Sequence, residues 1–274
     1  MAFNGEMTAV IGAGVMGEAM IKGLLKQRLL APENIVASDP RADHLEALRG
    51  RYGIEATRDN ASAARAADVL VLAVKPQVMD AVLPELRGQV DGVRLILSIV
   101  AGVTIKTISD NLLNVRVVRS MPNTPGQIGN GITVWTASPE VGAEERAQAE
   151  ALLGAMGEHI YASDERFLDM ATALSGSGPA YVFMFMEALV DAGVHMGFAR
   201  RDAEQLVTQT LLGSVLYARQ SGLHPAQLRN QVTSPGGTTA AALHEMEKGG
   251  LRTVLSEGVW AAYRRSQALG SQPD

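Results

Sequence analysis

Gly12-Ala13-Gly14-Val15-Met16-Gly17 limits what this chain can fold into more than any other feature. The motif directly follows a short apolar run at residues 8–11 and opens a run with helical spacing, which places it at a strand-to-helix turn. Each glycine has a separate use there. Gly12 permits the tight turn, Gly14 lets backbone approach an anion, and Gly17 lets the helix pack close. The helix that follows presents free N–H groups to a pyrophosphate. The motif predicts a dinucleotide-binding βαβ unit with Gly12, Gly14, Val15, Met16 and Gly17 against the cofactor; a chance glycine turn is the alternative.

The rest of the first half supports an α/β reading. Short runs at 8–11, 35–38, 69–74, 95–99 and 115–119 read as strands, and those without internal polar alternation have the habit of strands buried on both faces of a parallel sheet. Longer amphipathic or Ala-rich runs lie between them. A strand at 132–136, a helix at 143–156 and an edge strand at 158–161 complete an N-terminal Rossmann-like doubly wound sheet. Beyond about Asp164 the pattern changes. Runs at 164–174, 179–196, 202–219, 225–232 and 238–248 carry helical spacing between Gly and Pro; no strand is expected, and no element is marked past 248. The chain thus divides into a dinucleotide-binding domain over 1–163 and an all-α domain over 164–274. Residues 181–186, Tyr-Val-Phe-Met-Phe-Met, are apolar all round, which predicts burial by a partner subunit, with a central helix of the monomer's own core as the alternative.

Composition narrows the partners. A net charge of -5 gives no field to gather nucleic acid or an anionic membrane, so a small-molecule substrate is expected. The chain has no cysteine, hence no disulfide, thiolate nucleophile or cysteine-bound zinc, which fits a cytoplasmic protein. Its first six residues lack the basic and apolar regions of a signal peptide. The apolar stretch at 182–190 is interrupted by Glu187 and reads as too short to span a bilayer.

The second strand ends at Ser38-Asp39-Pro40-Arg41, where a carboxylate would bind the ribose of NAD and a cation the 2′-phosphate of NADP. With Ser38 at the tip and Asp39 turned away, Ser38 and Arg41 favour NADPH over NADH; Arg41 reads equally as a solvated surface charge. Three further segments end strands on the same expected edge: Ala73-Val74-Lys75-Pro76-Gln77, Ala101-Gly102, and Met121-Pro122-Asn123-Thr124-Pro125. They form an expected nicotinamide floor, although each is also a credible turn. In the second half, Ser175-Gly176-Ser177-Gly178-Pro179 and Thr233-Ser234-Pro235-Gly236-Gly237-Thr238-Thr239 stand at expected helix starts. Either could offer N–H groups and hydroxyls to a carboxylate, making Ser177, Ser234, Gly236, Gly237, Thr238 and Thr239 substrate candidates; otherwise the hydroxyls simply cap helices. No lysine lies between Lys106 and Lys248, the five histidines are scattered, and no metal-ligand spacing occurs. A reductase without an obvious strong acid suits an acceptor such as a cyclic imine, which needs only protonation on nitrogen.

Together these segments, above all 232–239, resemble the 1-pyrroline-5-carboxylate reductases almost end to end. The resemblance implies reduction of 1-pyrroline-5-carboxylate to L-proline, the last step of proline biosynthesis, by hydride from NADPH or NADH. It places Ser234, Gly237, Thr238 and Thr239 on the substrate, with Thr239 beside the imine nitrogen as proton donor or water-orienting group. It places Asn60 beside the adenosine ribose and its phosphate, Lys75 and Pro76 beside the cofactor, and Asn123 near the nicotinamide. It also implies an intertwined homodimer, and dimers assembled five at a time into a decamer. One position departs from the pattern: some relatives carry an acidic residue before His224-Pro225, where this chain has Gly222-Leu223. Two alternatives compete. A β-hydroxyacid dehydrogenase of the 6-phosphogluconate type would need a catalytic lysine that has no counterpart, and a non-catalytic dinucleotide-binding regulatory protein would not need the hydroxyl-rich loop.

Overall fold

A computed structural model describes Phe3 and residues 5–270. In the first half, four strands, β1 (Thr8–Ile11), β2 (Ile35–Ser38), β4 (Val69–Leu72) and β5 (Leu95–Ser98), are buried at every residue, as runs without polar alternation require. They join β3 (Glu55–Thr57), β6 (Val117–Met121), β7 (Gly131–Ala137) and β8 (Gly157–Tyr161) in one sheet of order β3-β2-β1-β4-β5-β6-β7-β8. All pairs are parallel except β6 with β7, so the sheet is mixed at that point. The edge strand expected at 158–161 is β8; the opposite edge strand, β3, was not expected.

Alternate strand residues point to opposite faces, and each face closes its own core. On one face Val10, Val71 and Leu97 pack with helices α1 (Val15–Lys26), α2 (Ala42–Tyr52) and α6 (Ala143–Gly154). On the other Ile11, Leu70 and Ile96 pack with α3 (Asn60–Arg65), α4 (Met79–Leu86) and α5 (Ile105–Leu112).

The remaining helices are α7 (Arg166–Ala171), α8 (Gly178–His195), α9 (Arg200–Ser221), α10 (Pro225–Gln231), α11 (Thr238–Lys248) and α12 (Leu251–Gly270). No sequence expectation covered α12. The chain separates into two compact units, residues 178–261 and the described remainder of the chain. The break expected after 163 falls ahead of α7, which this division keeps with the sheet.

Two expectations change here. The segment around Ser175 does lead into α8 at Gly178, but no free helix start opens there: α7 runs into α8 through a π-helical turn, Thr172–Gly176, with the Ser177 N–H donating to the Thr172 carbonyl at 2.8 Å. Pro179 has no N–H to continue the tighter ladder, which accounts for the wide turn just ahead of it. The length argument against a membrane also lapses. The continuous run Arg166–His195 has 30 residues and a mean hydropathy of 1.2, long and apolar enough by those measures to cross a bilayer.

Within residues 178–261, α8 and α9 form a hairpin in which a Cβ at Gly193 would lie 3.1 Å from Ala203 Cβ, and Arg200 pairs with Asp191 at 3.0 Å. Val182, Phe183, Met184 and Phe185 are 40–68% exposed, so the apolar stretch of α8 is not the core of its own chain.

Candidate functional site at the carboxyl edge of the sheet

The strand registers place Ser38, Ile11, Leu72, Ser98 and Arg119 in one row across β2, β1, β4, β5 and β6. The segments that follow these strands therefore emerge along one edge, where ligands bind in open α/β sheets. The order reverses between β1 and β4, at the glycine turn.

That turn is built as its residue types demand. Gly12 has φ +90°, and a Cβ there would lie 2.7 Å from Val74 Cγ1 and 2.8 Å from the Ala73 carbonyl carbon. The Gly12 and Ala13 N–H groups donate to the Ser38 carbonyl at 2.8 and 3.2 Å. Gly17 has no room for a side chain against the Gly12 carbonyl oxygen. At Gly14 a Cβ would meet nothing within 4 Å; that open backbone precedes Val15 and Met16 at the start of α1, which has no side-chain cap. The geometry fits a pyrophosphate resting on backbone N–H groups. His44, which carried no sequence signal, closes the turn from α2 with Nε2 2.6 Å from the Ala13 carbonyl oxygen.

At the β2 end the structure brings three expected residues near one another. Ser38 is buried and its hydroxyl donates to Asn60 Oδ1 at 2.7 Å, so Ser38 stands behind Asn60 and not open at the tip. Asn60 Nδ2 donates to Glu85 at 2.7 Å, which fixes the amide's orientation. Asp39 is buried, with both carboxylate oxygens taken by a fork from Arg41 Nε and Nη2 at 2.8 and 2.9 Å. Burial pushes the Asp39 carboxyl up, but the hydrogen bonds and charge of Arg41 outweigh it and hold the carboxyl below the usual range. The Asp39 carboxylate is thus engaged by Arg41, whose own side chain remains exposed.

Along the rest of the edge, Lys75 and Pro76 open a short 3-10 turn after β4, with Lys75 exposed. Ala101 and Gly102 follow β5, Gly102 at φ +76°. Asn123 accepts the Ile132 N–H on Oδ1 at 3.0 Å, which ties its loop to β7. A separate basic cavity of about 780 Å³, lined by Lys22, Leu29, Arg51 and Tyr52 among others, contains none of the expected residues.

In the helical unit, Gly236 has φ +69° and the Gly237 N–H donates to the Ser234 carbonyl at 3.1 Å. Gly237 is the N-cap of α11, which therefore starts without a side-chain cap. Capping thus fails to explain the hydroxyls of Ser234, Thr238 and Thr239, whereas Thr233 is spent on the Arg229 carbonyl at 2.6 Å. His224 does cap α10, accepting the Ala226 N–H on Nδ1 at 3.2 Å. Among the described residues no group of His, Asp and Glu could hold a metal ion.

Comparisons with known proteins bear on both halves. Residues 165–269 match a family model described as pyrroline-5-carboxylate reductase dimerisation, and residues 8–102 one described as NADP oxidoreductase coenzyme F420-dependent. The chain is 41% identical over 263 residues to the pyrroline-5-carboxylate reductase of Synechocystis sp., covering 96% of this chain and 98% of the relative. It is 41% identical to the Pseudomonas aeruginosa enzyme of the same name, over 96% and 97%. A crystal structure of the Plasmodium falciparum pyrroline carboxylate reductase with NADP bound superposes with a TM-score of 0.89, 31% identity and coverage of 97% and 98%.

Proposed function

The chain belongs to the pyrroline-5-carboxylate reductases and reduces 1-pyrroline-5-carboxylate to proline with NAD(P)H, and on that premise we propose how its residues divide the work. The observation that carries the proposal is the uncapped start of α11, where the Ser234, Thr238 and Thr239 hydroxyls are free of any capping role. Ser234, Gly236, Gly237 and Thr238 hold the substrate carboxylate on N–H groups and hydroxyls at the positive end of the helix. Thr239 serves the imine nitrogen, donating a proton or orienting the water that does. Ser177 contributes its hydroxyl alone, because the π-turn uses its N–H. When bound, the dihydronicotinamide supplies hydride to C5 of the pyrroline.

The sheet edge holds that cofactor. Gly12, Gly14, Val15, Met16 and Gly17 carry the pyrophosphate, and Ala73, Val74, Lys75, Pro76, Ala101, Gly102 and Asn123 flank the nicotinamide half. Ser38, acting through Asn60, and Arg41 hold the adenosine ribose with its 2′-phosphate, which favours NADPH. Residues 1–163 are the cofactor domain and 164–274 the dimerisation and substrate domain. The exposed apolar face of α8 supports a homodimer, and a membrane is not needed to cover it. Assembly of five dimers into a decamer rests on the family resemblance, and a cytoplasmic location on the absence of any cysteine that an oxidising compartment could use.

Assays with 1-pyrroline-5-carboxylate should show a higher kcat/KM with NADPH than with NADH; the reverse order would remove Arg41 from cofactor choice. Thr239→Ala should lower kcat on the order of a hundredfold, the scale of one lost proton-transfer group, with NADPH affinity intact. Unchanged steady-state kinetics in that variant would remove Thr239 from the mechanism.

A further inference from the structure

We infer that Arg119 is a positioning residue for hydride transfer, one that holds the loop after β5 through an ion cluster around its buried guanidinium. The inference rests on the proposed cofactor edge, in which Ala101 and Gly102 flank the nicotinamide half. Arg119 lies in β6 with its side chain 5% exposed. Its guanidinium meets two carboxylates, Glu165 at 2.8 Å and Asp169 at 3.6 Å. Each carboxylate carries the connection one step further. Glu165 Oε1 also accepts the Ile105 N–H at 2.9 Å, the first amide of α5, so a carboxylate sits at that helix's positive end. Asp169 Oδ1 accepts the Ser266 hydroxyl at 2.8 Å, from the final turns of α12.

One guanidinium thus joins β6, α5, α7 and the end of α12 around residues 100–104. Gly102 completes the arrangement, since a Cβ there would lie 3.4 Å from Leu269 Cβ and one at Gly270 would lie 3.1 Å from the Gly102 carbonyl oxygen. The Ser120 hydroxyl, next to Arg119, donates to the Ser98 carbonyl at 3.0 Å and joins the ends of β5 and β6. An ion cluster built on a buried guanidinium is a poor source of stability, because desolvation of that charge offsets its attraction to the half-buried carboxylates. Its gain is geometric. The bonds anchor the far end of the loop after β5 at Ile105, and an ångström of freedom in such a floor slows a reaction that depends on donor and acceptor alignment.

Ser266→Ala and Asp169→Asn test this while leaving Arg119 paired with Glu165. Wild type and both variants are titrated with 2′,5′-ADP, which reports the adenosine end alone, then assayed with NADPH and with NADPH deuterated at the transferred position. Affinity for 2′,5′-ADP should not change. In Asp169→Asn, kcat should fall on the order of tenfold, with a smaller fall in Ser266→Ala, and the primary deuterium isotope effect on kcat should rise in both. A lost structural bond alone would not move the isotope effect. Unchanged kcat and isotope effect in both variants overturn the inference, and so does a fall in kcat that only follows the folded fraction. Failure of the wild-type chain to bind 2′,5′-ADP would instead overturn the cofactor edge on which the inference stands.

Discussion

The sheet unit and the helical unit treat their apolar residues in opposite ways. In the first, two clusters close over the two faces of the sheet, and strand residues such as Leu70, Leu72 and Leu97 are wholly buried. In residues 178–261 only Val190, Gly193 and Ala203 are buried, and Phe183, Met184, Val215 and Trp260 stand exposed. Apolar area left in water forgoes about 25 cal/mol for each Å² that could be covered. The first region therefore encodes a core that needs no partner, while the second leaves apolar surface for the proposed homodimer to cover, where folding and association would draw on the same residues.

Charge placed on that surface should produce the largest effect. Phe183→Glu should cost at least about 2 kcal/mol of association, the scale of an interface hot spot, and raise the dimer dissociation constant about thirtyfold or more. Sedimentation would show monomers, turnover would fall with the dimer, and 2′,5′-ADP would still bind the sheet unit; a dimer of undiminished affinity would break the comparison. Leu70→Ala in β4 should cost about 2–5 kcal/mol at any protein concentration, because its cavity opens inside one chain. In wild type, by contrast, thermal unfolding of the helical unit should shift upward with concentration, which scans over a dilution series would detect. Next comes Gly12→Ala, which forces a side chain to φ +90° and against Val74. Strain of about 1–3 kcal/mol should appear as roughly a tenfold or greater loss of NADPH affinity by fluorescence titration, with the dimer intact.

The same contrast explains what could be read from the sequence. The buried strands were legible because a short run dominated by aliphatic residues and free of charge has few other uses, and the glycine turn because its flanks specify it. By comparison, β3 is Glu-Ala-Thr, too short and polar to stand out, and becomes a strand only by pairing with β2. Helix α12 did carry a signal, since Leu251, Val254, Leu255 and Val259 hold helical spacing; Gly258 and the glycine pair before it obscured the pattern. The π-turn was not legible because its one signal, Pro179, is equally what the first turn of a new helix shows. The Arg119 cluster was invisible for another reason: its partner Glu165 lies 46 residues away, and Ser266 lies 97 residues beyond Asp169. Only the folded sheet brings them together.

The smallest expected effect concerns the fork at the tip of β2, where a pair with one exposed partner sits on a self-contained core. Because Arg41 holds the Asp39 carboxyl below its ordinary value, the fork contributes stability that is present above the unfolded carboxylate pKa. That contribution is lost as pH falls through the lower folded value, so its window lies below about pH 4. Arg41→Ala removes the fork and the guanidinium charge but keeps the residue 41 N–H and the charge of His44 on Asp39, so the lowering shrinks against burial and the acid unfolding midpoint should move upward by a few tenths of a pH unit. Near neutral pH the same variant should raise KM for NADPH about fivefold, the scale of one exposed charge contact, and leave KM for NADH unchanged. If both KM values rose together, Arg41 would serve the fold of the tip and not the phosphate, and the choice of cofactor would pass to Asn60 and the Ser38 hydroxyl behind it.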